Sequence, residues 1–295
     1  NQNESSHAVG LATYYGGFFP VLNAGITYTA NRDVRELNKA YTANQIETQF
    51  GFSIPLNFSQ GKTYKFLNFG SNYVYNETRP TAAYKDMIHS KSAGYLYHFV
   101  NWSQQLPTAL QHIYPKFAYA ISLSDRHLLN GDGAQFLGGT ALYLPSIKNH
   151  SLVLTANLQA TDTLLLPAGQ TAILSNRFAN SRGYNDYYFS RMWRLGGNYH
   201  MPLFYPDWGF GNILYFLRVR SNVFYDYTRV YSRNKMASRE QRSVGGEIYF
   251  DTRWWNMLPV SFGFRVSHLL DDDFSGQRPK GSNIFEFIIP MNLIP

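Results

Sequence analysis

Arg194, Arg218, Arg220, Arg253 and Arg265 fall in the second half of the chain, interspersed with Asp226, Glu247 and Asp251. Guanidinium groups facing one enclosed space can do two things. Unpaired, they hold or select anionic solutes. Crossed with carboxylates, they fill an interior with ion pairs, and the three acids in the same segments favour that arrangement. Other chemistries find less support. Asn198-Tyr199-His200 places an amide and an imidazole on one side of an extended chain, as a Ser-His-Asn hydrolase would need. No Gly-x-Ser-x-Gly turn accompanies them, so no enzyme is expected. The eight histidines include no His-Glu-x-x-His pair or other metal spacing. "DDDFSG" (271–276) and "NGDGAQ" (130–135) lack the ligand spacing of a calcium loop and read as solvated loops. The chain has no cysteine, which removes thiol catalysis, thiolate metal sites and disulfides. Neither a metal nor a cofactor is expected.

The elements that must position these charges show a two-residue repeat. In "GNILYFLRVRSNVFYDY" (211–227), Ile213, Tyr215, Leu217, Val219, Val223 and Tyr225 alternate with a face holding Asn212, Arg218, Arg220, Asn222 and Asp226. In 244–254, Val244, Ile248, Phe250 and Trp254 oppose Glu247, Tyr249, Asp251 and Arg253. Similar alternation recurs in 44–56, 113–124 and 259–267, and no stretch of helical period competes. The chain is therefore read as all-β and as one domain over 1–295.

Composition decides which β architecture fits. Charged residues make up 15% of the chain, against roughly 25% in soluble domains, while aromatics reach 17%. Apolar, aromatic faces with few charges suit strands whose outer side meets lipid. The formal charge of +7 invites nucleic acid, yet no nucleic-acid fold is recognisable, and the basic run 229–242 reads as an outer loop facing lipopolysaccharide. Mean hydropathy is −0.31, which lumen residues explain in a barrel. Short connections are expected near 16–20, 59–62, 104–110, 145–150, 202–211 and 256–259. Long polar ones are expected near 31–42, 76–90, 124–134, 161–187, 228–241 and 271–282. That sorting predicts a transmembrane antiparallel up-and-down β-barrel, with a soluble sandwich or propeller as the rival. About 13 alternating segments are counted, and barrels normally have an even number. About 14 strands are therefore expected, with 12 or 16 as alternatives, and at least one N-terminal strand expected upstream of residue 1. Trp193, Trp208, Trp254 and Trp255 fall near inferred strand ends and read as membrane-interface aromatics.

The longest loop contains "NSRGYND", with Arg182, Gly183 and Tyr184, and five alternating segments follow it, from Tyr188, Asn212, Ser243, Val260 and Asn283. With "LGGNYHMPL", "NVFYDY", "SVGGEIYF" and "PVSFGFRVS", this part resembles the C-terminal barrel of the bacterial outer-membrane insertase and two-partner transporter superfamily. The resemblance covers roughly 175–295. It implies that Arg182 folds into the lumen against acids on the following strands, and the polar faces read above select Asp226 and Glu247 as those positions, a pairing that would latch the loop. It also implies a Gram-negative outer-membrane location, lipid and lipopolysaccharide as surroundings, and a role in protein or lipid assembly or in an export complex with other proteins. The final segment departs from the superfamily, since it contains Pro290 and lacks a terminal Phe or Trp. The alternatives are a solute channel, or a membrane anchor for a periplasmic domain.

Overall fold

The computed structural model describes residues 6–17, 19–36, 39–109, 112–129, 133–162, 174, 177–185, 189–231, 238–255, 257–274 and 276–289. Fourteen strands form one sheet. They are β1 (His7–Tyr15), β2 (Val21–Glu36), β3 (Lys39–Asn57), β4 (Tyr64–Pro80), β5 (Lys91–Gln105), β6 (Ala118–Leu128) and β7 (Ala134–Pro145). Then come β8 (Ser151–Asp162), β9 (Arg191–Phe204), β10 (Trp208–Phe210), β11 (Leu214–Tyr231), β12 (Ser238–Trp254), β13 (Leu258–Leu269) and β14 (Asn283–Ile288). Except for β10, which pairs only with β11, they follow one another in chain order as an up-and-down meander. Each ladder is antiparallel, as expected of strands joined by turns.

The two faces carry the reverse of a soluble core. Along β12, Ser243, Glu247 and Asp251 are buried while Val244 and Ile248 are exposed. On β6, Ile121 and Leu123 face out and Arg126 faces in. Asn, Gln, Asp, Glu and Thr are prominent among the buried side chains, and Phe, Leu, Ile and Val among the exposed ones. Contacts between strands that are not neighbours show that the sheet curls. The Tyr114 ring, in the β5–β6 connection, meets His200 of β9 edge-on at 4.9 Å. Arg218 of β11 donates to the His112 carbonyl at 3.3 Å. Residues from β5 round to β14 line one cavity of about 930 Å³. Among the described residues no ladder joins β1 to β14, and all nine residues of β1 are exposed.

Several expectations need correction. The alternation of 211–227 does not run straight through, because the β11–β12 register shifts between Phe216 and Arg218. Below this bulge Phe216 stacks on exposed Trp208, whereas Tyr215 pairs with Arg253 and bonds Asp207 through its hydroxyl. A bulge resets which residues share a face, so strict parity misassigns Tyr215. Connection lengths sort less cleanly than expected. The ladder of β2 and β3 continues to Glu36 and Lys39, and that of β11 and β12 to Tyr231 and Ser238. Most of 31–42 and 228–241 is thus paired strand rather than loop. Conversely, the β5–β6 connection is long, and Ile113 lies in it rather than in a strand. Tyr188 and Pro290 lie outside the described residues.

One glycine shows how tightly the late strands fit. A Cβ on Gly245 would run into the Val266 carbonyl oxygen and the Phe224 ring. Gly245→Ala is expected to cost about 2–3 kcal/mol of stability, since neither backbone nor buried ring can yield. A urea titration of variant against wild type checks this.

Candidate functional site

Residues 177–185 lie inside the curl, across the faces of β9, β11, β12 and β13. Arg182 is the centre. Its Nε and Nη2 grip Asp226 bidentately at 2.8 and 3.0 Å, and its own backbone N–H donates to the same carboxylate at 3.1 Å. Nη1 donates to Glu247 at 3.1 Å and Nη2 to the Asn198 side-chain amide oxygen, Oδ1, at 2.6 Å. The guanidinium lies flat over Phe224, 3.7 Å from the ring centre. Such a planar fork can be held by two acids, an amide and a ring at once, which lysine could not match.

The two carboxylates have further partners. Asp226 is fully buried and also accepts from Arg194 at 2.8 Å. Glu247 accepts from Arg265 at 2.6 Å, from the Asn222 amide at 2.7 Å and from the Tyr249 hydroxyl at 2.8 Å. Arg265 reaches Glu286 at 3.3 Å. Arg182, Arg194 and Arg265 are therefore matched by Asp226, Glu247 and Glu286, and the network closes neutral. A second knot lies lower on the same wall, where Asp251 holds Arg218 at 2.8 Å, Arg220 at 3.1 Å and the Ser261 hydroxyl at 2.8 Å. Arg220 also covers the Tyr249 ring at 4.2 Å.

Gly183 is required twice over. Its φ is +88°, which favours glycine, and a Cβ there would come within 2.9 Å of both Ser267 and Leu269. Its carbonyl accepts from Arg278. Tyr184 is buried, and its hydroxyl lies 2.8 Å from the Arg242 carbonyl and 3.0 Å from that of Asp271 while accepting from the Asp271 N–H at 3.1 Å. Burial pushes this phenol up to about 12, so it remains a donor across the neutral range. Ser181 bonds Thr228 and the Gln241 carbonyl, at 2.7 and 2.8 Å.

The structure thus brings together Arg182, Gly183, Tyr184, Asp226 and Glu247, and it crosses Arg194, Arg218, Arg220 and Arg265 with acids. Arg253 is the exception: it is exposed and makes no ion pair among the described residues, two positions beyond Asp251 at the mouth of the shell. Trp193 stands at the loop end of β9, packed on Tyr227 at 5.0 Å. Trp208, Trp254 and Trp255 stand at the opposite end, all exposed. Sequence reasoning missed Asn198, Phe224 and the clamp supplied by 270–282. Phe224 had a signal, since its parity with Asn222 and Asp226 sets an aromatic on the polar face. Asp271 and Asp273, expected to be solvated, instead hold Arg242 at 2.7 Å and Asn185 at 3.1 Å. No protein-family model and no curated protein matches the chain.

Removing Arg182 leaves Asp226 with Arg194 and Glu247 with Arg265, so the strands should persist. Arg182→Ala is expected to weaken loop docking by about 3–5 kcal/mol, the scale of a broken buried ion pair. Limited trypsin digestion should then cut after Arg177 in the variant and not in wild type. A second expectation concerns acid. The side-chain hydrogen bond from Arg242 holds the Asp271 carboxyl below the usual carboxylate range. Its contribution is present above about pH 4 and fades as pH falls through the depressed value. Hydrogen exchange at 181–185, corrected for intrinsic rates, should quicken between pH 5 and pH 3, and less so in Asp271→Asn.

Proposed function

We propose that the chain is an integral outer-membrane β-barrel of the insertase and two-partner transporter type, acting in outer-membrane protein or lipid assembly or within an export complex. The observation that carries this reading is the docking of Arg182 inside the curled sheet against acids on the following strands, Asp226 and Glu247, as the resemblance implies. The apolar outer face supports a lipid surrounding, because exposed Phe264, Ile248 and Val223 have no partner element to cover them. Tryptophans at both ends of the strands fit the two interfaces of a bilayer. An anion channel lined by free arginines is less well supported, since Arg194, Arg218, Arg220 and Arg265 each already contact an acid, with Arg218 and Arg220 sharing Asp251.

On this reading the docked loop and its clamp keep the interior shut while the barrel wall works on clients. The test is reconstitution of the chain into vesicles of outer-membrane lipid, with an unfolded small barrel protein as client. Faster client insertion than in empty vesicles is expected, falling roughly tenfold in Arg182→Ala, with no stepwise conductance in planar bilayers. Large discrete conductance steps in wild type would favour the channel instead. Failure of the chain to enter vesicles at all would sink the membrane reading.

A further inference from the structure

Away from the latch, on β6, one buried cation makes no ion pair among the described residues. Arg126 of β6 is 7% exposed, and its Nε and Nη1 are sealed from solvent with no acceptor. Tyr95 and Tyr97 of β5 flank it, each ring centre 5.7 Å from the guanidinium carbon, and Tyr97 is its direct cross-strand neighbour. Ring faces attract a guanidinium but cannot neutralise it. Glu47 of β3 is the carboxylate whose field reaches Arg126, and one of its oxygens accepts from the Asn76 amide at 3.2 Å.

A second arginine adds to the excess. Arg177, tied by its backbone N–H to the Gln159 side chain at 2.9 Å, lies near enough for its charge to repel that of Arg126. Its side chain is exposed. Residues 163–180 contain no Asp or Glu, so this part of the loop supplies no neutralising acid. Leu174 from the same loop packs on Val74, Ala93, Tyr95 and Leu128 and gives the site a dry roof. Arg182, Arg194, Arg218, Arg220 and Arg265 each touch a carboxylate, which sets the latch wall apart from this pair.

We propose that Arg126, flanked by Tyr95 and Tyr97, forms with the nearby Arg177 a binding site for a phosphoryl group. A phosphomonoester carries between one and two negative charges and three acceptor oxygens, enough for two guanidinium groups, whereas a single carboxylate would leave one cation unmatched. The ligand is either a free phosphate ester in the lumen or the headgroup of a lipid that reaches the wall.

Isothermal titration of the purified full chain in detergent tests this, with inorganic phosphate and, separately, phosphatidic acid in mixed micelles, at matched chloride ionic strength. One saturable site is expected, abolished in Arg126→Met and roughly tenfold weaker in Arg177→Gln. Response to inorganic phosphate identifies a free ligand, and response to phosphatidic acid alone identifies a lipid headgroup. Without phosphate, Arg126→Met should melt no lower than wild type, because it removes a buried charge that makes no ion pair among the described residues. Absence of saturable binding from both probes overturns the proposal, as does wild-type affinity in either variant. Should Arg126→Met not fold, the Arg177→Gln affinity decides alone.

Discussion

A carboxylate with no exposure to water must be surrounded by donors, and Asp226 is the group that sets this requirement for the whole wall. It takes four hydrogen-bond donors, three from Arg182 and one from Arg194. Placing them needs β9 beside β11 in a register that sets Gly196 opposite Asp226, where a larger residue would crowd the carboxylate. It needs β12 on the other side to bring Glu247 opposite Asn222. It also needs a loop with a left-handed glycine immediately after the arginine. Sheet register, loop conformation and charge balance are thus three aspects of one constraint. In a shell whose inner face is polar, such networks take the place of a hydrophobic core.

The division between apolar exterior and ion-paired interior follows from strand geometry. Successive side chains point to opposite faces, so each strand can satisfy both demands at once. The Phe216–Arg218 bulge changes the phase of β11 and lets one strand serve two layers. Arg218 and Arg220 turn to Asp251 above it, while Phe216 turns outward to Trp208 below.

Much of this was legible in the sequence. Alternation in 244–254 and 259–267 identified strands and their inner faces, and polar parity selected Asp226 and Glu247 as facing positions. What stayed hidden has physical causes. A bulge leaves no mark in a two-residue repeat, so Tyr215 was given the wrong side. Strand pairing that continues through polar sequence, as in the β2–β3 ladder to Glu36 and Lys39, leaves no apolar alternation to read. The clamp by Asp271, Asp273 and Arg278 depends on a loop closing over another loop, and no local pattern encodes such a meeting. Arg126 was hidden in the same way as the β2–β3 ladder: it falls in 124–134, expected as a polar loop, whereas β6 continues to Leu128.

The latch also orders events in time. Arg182 meets partners 44 and 65 residues further on, and the Tyr184 and Gly183 contacts span 87 and 95 residues. Closing a loop of that length gains nothing until its far end is in place. Segment 177–185 therefore has no seat until β11, β12 and the turn after β13 have joined the sheet. The plug is the last piece to settle, and its docking reports that the wall behind it has been completed.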